Sequence, residues 1–446
     1  MPDPDLNQKQ PLIARLAFYY LVIFSCLVIG FGVSYLQLPP YHQIDNGLKE
    51  LGAFLKGKAG ENKSTMERLT LHRQERREKL FEPGFHLRDP NFVDPGYLLI
   101  SEFNKGEDQV VVRLVSVDGF KEVYRWVPPV EEIIERTFQD VGCNNKAGYE
   151  AQHPLLHDDG SLVFTSGEGP LVKIDRNNNI VWTVTGYFHH SIERDSKGNY
   201  VVPTVNNPPF MSFNIDGTHY RDDAYAVVSP DGELLEIQSI GKLLVQDDRF
   251  VGAFLGVGNF NMDRIHLNDA QPILEDNGTA LKGDIVFSIR HLSLVMLYRP
   301  SIGKIIWGRI GPWTYQHDVN ILPDGRFSIF SNNVMTLRDD NDAVPHKPYS
   351  EVYIYDPTTD LVESPYREEM EKIGCLTVTA GRSRILPNGD VYLEQSDFCH
   401  LVRISRDSIR WEYTNQLTAD TQGLVNWCRY LLPEEVNLDW LNESQN

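Results

Sequence analysis

From Gly96 onward the chain repeats one short unit six times, and this repeat constrains its fold more than any other feature. Each unit has a turn Gly, a β-rich run, a second β-rich run with an Asp turn, and often a closing Trp. The first is Gly96 to Ser101, Val110 to Val117, Asp118-Gly119 and Trp126. The others open at Gly160, Gly198, Gly283, Gly325 and Gly389, and Trp182, Trp307 and Trp411 close three of them. Short strands parted by Asp-Gly or Asn-Gly turns are hairpin signals. A sandwich has no reason to repeat such a unit six times. About four strands per unit predict an all-β protein, a six-bladed β-propeller. The gaps from Gly198 to Gly283 and from Gly325 to Gly389 then read as loops on one face. The content of 33 Gly and 26 Pro agrees with a turn-rich β chain and excludes a long helical bundle.

The reactive side chains fall in phase with the repeat. His190 precedes Gly198 by eight residues and His317 precedes Gly325 by eight. His153 precedes Gly160 by seven and Arg382 precedes Gly389 by seven, with Arg384 close behind. His266 opens the equivalent strand of the fourth unit, which carries an insertion before Gly283. The first strand of each blade lines the central channel, so equivalent positions form a ring. The phasing therefore predicts imidazoles and a guanidinium at one mouth. A transition metal is one use for such a ring. Neither an H-E-x-x-H pair nor a paired-Cys motif is present, and a metal-dependent hydrolase or lactonase would want more carboxylates in the ring. An anion is the better fit, because Arg290 offers a planar fork to a tetrahedral oxyanion and would repel a cation.

The segment before the repeat is of another kind. No Asp, Glu, Lys or Arg occurs between Arg15 and Asp45, and Leu16 to Leu36 is an unbroken apolar run. At 1.5 Å per residue it matches the ~30 Å hydrocarbon core, and no A-x-A-like cleavage site closes it. A retained signal anchor over 16–38 is expected, with residues 1–15 as a cytosolic tail and the propeller extracytoplasmic (periplasmic, lumenal or extracellular). From Asp45 to Leu80 nine Lys or Arg mix with six Asp or Glu. Runs such as His72 to Lys79 read as a solvated helix within a charged stem over 39–90. The propeller is expected over 91–432, followed by a C-terminal tail over 433–446. The formal net charge of −20 argues against nucleic acid as a partner. Sequons at Asn62, Asn277 and Asn442 occur about as often as chance supplies. Cys26 lies in the anchor, and Cys143, Cys375, Cys399 and Cys428 allow either a bridge at the closure or buried thiols.

Several of these segments together resemble a known family. Ile265-His266-Leu267-Asn268, Gly283 to His291 with its Ser288-Ile289-Arg290-His291 ending, and Ile305-Ile306-Trp307-Gly308 are similar to landmarks of the arylsulfotransferase (arylsulfate sulfotransferase) family. Gln316-His317 before a Gly-strand is similar to its next landmark. The resemblance covers roughly residues 95 to 415 and implies a six-bladed propeller. It implies sulfuryl transfer from a phenolic sulfate ester to an acceptor phenol, through a sulfated histidine and without 3′-phosphoadenosine phosphosulfate. By motif, His317 would be the nucleophile, with His190, His266 and Arg290 around the sulfuryl group. No cofactor and no metal are called for. Two departures stand out: Ser331-Asn332-Asn333 replaces the usual Asp-Asn-Gly, and an anchor and stem replace the N-terminal β-domain of the bacterial enzymes.

The chemistry suits these residues. A neutral imidazole can attack sulfur and hold the group as a labile N–S adduct. Preorganised donors favour the transition state as charge spreads over the sulfuryl oxygens. His190 or His266 can move the phenolic proton, and the sequence does not choose between them. His153, Arg382 and Arg384 share the channel phase without matching the family's motifs. The competing class is a non-catalytic, membrane-anchored propeller that binds a partner or carbohydrate on its loop face. Such a module has no reason to keep the phased imidazoles.

Overall fold

The computed structural model describes residues 81–137, 146–212, 220–256, 260, 262–336, 343–418 and 421–442. Runs of β-branched and aromatic residues between Asp-anchored turns form strands that bury both faces against neighbouring sheets. Among the described residues, five four-stranded antiparallel sheets and one of five strands form six blades. The second blade shows the plan: Gln152–Leu156 lies innermost, followed outward by Leu162–Thr165, Gly169–Ile174 and Ile180–Phe188. The inner strands of blades three to six are Glu193–Arg194, Leu267–Pro272, Asp318–Ile321 and Arg382–Ile385. The six-bladed propeller read from the repeat is the fold.

Segments from both ends of the propeller complete its last and first blades. Arg429–Leu431 forms the inner edge of the first blade, paired with Tyr97–Asn104 in the register Tyr97↔Leu431. Gly84–Leu87 adds a fifth, outermost strand to the last blade in the register Gly84↔Thr414. This strand lies in the stretch expected to be stem, so the propeller starts before residue 91. Buried Asp94 clasps the closure: its carboxylate accepts Arg403 Nη1 at 2.7 Å, Trp411 Nε1 at 2.6 Å and the Tyr430 hydroxyl at 2.5 Å. The final segment is also packed. Trp440 joins the core between the first two blades, and Glu435 pairs with Arg384 at 2.7 Å.

The core is split into six large hydrophobic clusters, one at each seam between adjacent blades. This explains the Gly–Trp repeat: each closing Trp reaches into the next blade. Trp126 Nε1 donates to Gly160 O at 3.0 Å, and Trp182 Nε1 donates to Pro230 O at 3.1 Å. A Cβ on Gly232, whose φ is +84°, would sit 2.8 Å from the Trp182 ring. Trp307 packs edge-on against Phe327 and Tyr355 of blade five. Cys375, Cys399 and Cys428 are buried in the seams on either side of the last blade, and the Cys428 thiol donates to Ser101 O at 3.7 Å.

The register shows which face carries the loops. Asp318 pairs with Phe330 and Phe330 with Val352, so the segments before 318 and between Ser331 and Glu351 share one face. By the same logic the chain leaves its strands towards that face after Val205, Ser239 and Glu363. This is the single loop face expected from the long gaps. It carries the hairpin Val334–Thr336/Ala343–Pro345 and the short helices Ile240–Val245, Val251–Leu255 and Arg367–Lys372. Among the described residues no helix is long and apolar enough to cross a membrane. The apolar run Leu16 to Leu36, the charged stretch to Leu80, Asn62 and Cys143 lie outside the described residues.

Candidate active site

Each inner strand is entered through a residue in the left-handed region: His153, His190, His266, Tyr315, Ala380 and Trp427, with φ between 50° and 60°. This kink turns the incoming outer loop down the channel, and it places side chains at the mouth of the loop face. His190 and His266 occupy the kink itself. His317 comes two residues after Tyr315, as Arg382 follows Ala380 and Arg429 follows Trp427. The equal eight-residue spacing of His190 and His317 to their glycines is therefore a coincidence of length. The inner strand Glu193–Arg194 is two residues shorter than Asp318–Ile321.

The predicted residues nevertheless meet. The His190 ring lies 5.5 Å from His266, 6.2 Å from His317 and 5.4 Å from Trp427, centroid to centroid. The sequence landmarks converge on the residue before His317. Asn268 Nδ2 donates to Gln316 O at 3.0 Å and Ser288 Oγ donates to the same oxygen at 3.3 Å. Gln316 Nε2 in turn donates to Ile289 O and Leu294 O. The His-x-Asn and Ser-x-Arg segments thus clamp the backbone that carries His317.

His317 is almost wholly buried, at 3% exposure. Its Nδ1 donates to Asn332 Oδ1 at 2.7 Å, and Asn332 is held by its Nδ2 on Thr377 O and Ala380 O. That bond places the ring proton on Nδ1 and the lone pair on Nε2. Nε2 accepts the Ala380 N–H at 3.0 Å. Asn332 is the middle residue of Ser331-Asn332-Asn333, so the departure from the family pattern keeps the side chain that orients His317. Burial, then the charge of Arg290, holds the His317 imidazole well below its ordinary range despite the Asn332 bond. It is neutral at pH 7.

Arg290, at 2% exposure, lies with its guanidinium 4.8 Å over the Tyr315 ring. Its Nη1 donates to His291 Nε2 at 2.8 Å, and its backbone N–H donates to His266 O at 3.1 Å. Burial and the Arg290 charge hold His266 below its usual range as well. His266 Nδ1 donates to Asp263 Oδ2 at 2.6 Å, and His291 Nδ1 donates to Asp263 O at 2.5 Å. Asp263, His266 and His291 could also gather around a metal ion, since their ligand atoms lie within 4.8 Å of one another. One set of tautomers satisfies all of these contacts as hydrogen bonds, and the neighbouring guanidinium opposes a cation.

His153 and Arg382 stand in the channel wall as predicted, in a belt of paired charges that adjoins His190 across the Trp427 ring. Arg382 Nε donates to Asp318 Oδ1 at 3.2 Å, and its Nη1 meets His153 Nε2. Arg429 Nη1 pairs with Glu193 at 3.3 Å. The Asp318 and Asp269 carboxylates also accept Ser383 N–H and Val319 N–H from the next blade, at 3.0 and 3.1 Å. The ring does hold carboxylates, contrary to the sequence reading, and they are committed to guanidiniums and to blade-to-blade bonds. Arg384 is bound to Tyr430 O and Glu435, both at 2.7 Å.

The profile of the family described as arylsulfotransferase (ASST) matches residues 152–416. A six-bladed propeller with imidazoles and an arginine at one mouth is the class that fold and site define. The chain belongs to the arylsulfotransferase family, as its landmarks predicted. No curated protein matches it. Among solved structures it is similar to a protein of unknown function from Bacteroides caccae, at 11% identity over 76% of this chain and 99% of that one, with a TM-score of 0.46. It is also similar to a functionally unknown protein from Desulfotomaculum acetoxidans, at 9% identity over 76% and 100%, with a TM-score of 0.40. A streptogramin B lyase matches at 11% identity over 78% and 98%, with a TM-score of 0.37. At these scores the likenesses add nothing to the sheet topology.

Proposed function

We propose that this protein transfers a sulfuryl group from an aryl sulfate to an acceptor phenol through a covalent adduct on His317. The observation that carries the reading is the Asn332–His317 bond, which fixes a neutral ring with its lone pair on Nε2. Attack on sulfur forms the N–S bond and expels the phenolate, while Nδ1 keeps its proton. The adduct is then an N-sulfo-imidazolium, a better sulfuryl donor than a neutral ring would give. The Ala380 N–H, displaced from Nε2, is placed to meet a sulfuryl oxygen, and Arg290 supplies the fixed positive charge beside it. The acceptor phenol reverses the sequence and returns the electron pair to Nε2.

We further assign the apolar run Leu16 to Leu36 to a membrane anchor, with the propeller on the extracytoplasmic side. Carbonate extraction that leaves the uncleaved chain with the membrane supports this, and release into the soluble fraction rejects it. The catalytic reading is tested by incubation with an aryl sulfate and mass analysis for a +SO3 adduct on histidine. An adduct at His317 that discharges to added phenol supports it. Absence of any adduct favours a propeller that binds a partner without catalysis. Activity lost on chelation favours a metal at Asp263, His266 and His291.

A further inference from the structure

A chain of three side chains runs from the mouth into the seam between blades three and four. His190 Nδ1 lies 2.7 Å from His189 Nδ1, and His189 Nε2 lies 3.6 Å from Asp223 Oδ1. His189 and Asp223 are buried, at 1% and 0% exposure. Asp223 is fixed by two donors, Arg221 Nε at 3.0 Å and the His266 N–H at 2.8 Å. His190 is fixed by its own backbone, whose N–H donates to Gln152 Oε1 at 2.7 Å.

Only one proton fits between two nitrogens 2.7 Å apart, so the pair has two tautomeric arrangements. If His189 Nδ1 held it, neutral His189 would turn an Nε2 lone pair towards the Asp223 carboxylate. If His190 Nδ1 holds it, His189 Nδ1 accepts and His189 carries its own proton on Nε2, facing that carboxylate. The anion favours the second arrangement. His190 then presents an Nε2 lone pair, which has no hydrogen-bond partner among the described residues, in the ring that contains His317.

We propose that Asp223, His189 and His190 form a proton relay that makes His190 the general base for discharge of the adduct to the acceptor phenol. This rests on the sulfuryl-transfer reading above. The phenolic O–H proton passes to His190 Nε2, and the phenolate oxygen forms the new S–O bond. The N–S bond breaks and its electron pair returns to His317 Nε2. The His190 Nδ1 proton moves to His189 Nδ1, leaving His189 as the imidazolium beside the Asp223 carboxylate. The stored proton returns by the same path to the next departing phenolate, so the relay is unchanged over a full cycle. His190 itself is faced by His189, His266, His317 and Arg221, none of them an anion, so the charge is better held at His189. His190 is the catalytic residue of the three, and His189 and Asp223 are positioning residues.

The first test needs no turnover. Nitrogen-15 NMR of the full chain with labelled imidazoles, assigned by single His variants, is expected to show His190 protonated on Nδ1 and His189 on Nε2. The reverse pattern overturns the relay. The second test separates the half-reactions. His189→Asn keeps an acceptor for His190 Nδ1–H but cannot carry the proton. It is expected to slow adduct discharge to phenol by about ten- to a hundred-fold, within the usual range of acid–base assistance. Adduct formation from para-nitrophenyl sulfate, whose phenolate leaves unprotonated, should be unchanged. Equal slowing of both steps, or of neither, overturns the relay. His189→Gln, checked for an unaltered circular dichroism spectrum, serves if the first variant fails to fold. If the wild-type chain forms no adduct, the sulfuryl-transfer reading fails. If it forms one and discharge is insensitive to residue 189, only the relay fails.

Discussion

The imidazoles at the mouth of the channel and the belt of paired charges beside them are built from the same blades at equivalent positions, yet they use charge in opposite ways. In the belt, Arg382 and Arg429 are paired with Asp318 and Glu193, and carboxylates bridge to backbone N–H groups of the next blade. In the mouth, each imidazole has its Nδ1 held: His190 by His189, His266 by Asp263 and His317 by Asn332. The belt neutralises its charges to close a ring. The mouth keeps neutral rings in fixed orientation beside the Arg290 guanidinium, which suits a substrate that brings its own negative charge. Neighbouring layers of the same inner strands thus hold charge in two different ways.

The sharpest way to break this contrast is to remove one residue from each layer. His317→Ala should abolish both sulfate transfer and the +SO3 adduct in a chain whose circular dichroism spectrum shows that it still folds. Transfer that persists at an undiminished rate would reject the role of His317. Arg382→Met should do the reverse, leaving Asp318 buried without its cation at a cost of roughly 3–5 kcal/mol of stability. Denaturant unfolding reads that loss, and the fraction that stays folded should still form the adduct. An Arg382→Met variant that unfolds like wild type would mean the belt does not hold the ring.

How much of this could be read from the sequence divides along the same line. The six Gly-strand units named the blades, the inner-strand positions of His190, His266 and His317 pointed to one mouth, and the family landmark supplied Arg290. The partners of each side chain were not legible. His153 and Arg382 occupy positions equivalent to His190 and His317, so no spacing shows that they are committed to each other and to Asp318, or that Arg384 is bound to Tyr430 O and Glu435. Those at the mouth were missed for a further reason: Asn332, Ala380, Asp263 and His189 approach from loops, where no periodicity marks a position. His189 left one trace, as the first of two adjacent histidines. Asn332 left another, as the residue in which Ser331-Asn332-Asn333 still agrees with the family pattern.

A smaller effect refines the electrostatic half of the comparison. Arg290→Lys keeps the charge but loses the planar fork, and a point ammonium cannot make two parallel contacts to sulfuryl oxygens. One lost donor of this kind costs roughly 3–4 kcal/mol of transition-state stabilisation, about a hundred- to a thousand-fold in rate. The loss should appear in adduct formation, with little change in unfolding temperature. A variant within a factor of a few of wild type would move the anion contact elsewhere in the mouth.

The smallest expected effect is one that both layers share. Burial comes first among the causes that hold His153, His190, His266 and His317 well below the ordinary imidazole range. Arginine charges add to it: Arg382 and Arg429 at His153, and Arg290 at His266 and His317. The folded chain therefore keeps these rings neutral where the unfolded chain, titrating near its ordinary value of about 6.5, takes up protons. The stability they contribute is fully present above pH ~6.5 and is lost as the pH falls towards their folded values. Each ring contributes a slope of at most about 1.4 kcal/mol per pH unit in that window, and none above it. Urea midpoints should thus be level from about pH 8 to 7 and fall from about pH 6.5 to 5.5. His153→Gln should remove one share of that slope without changing the adduct. A slope that keeps its full value in this variant would show that His153 takes up its proton in the folded belt, so that mouth and belt differ in protonation as well as in pairing.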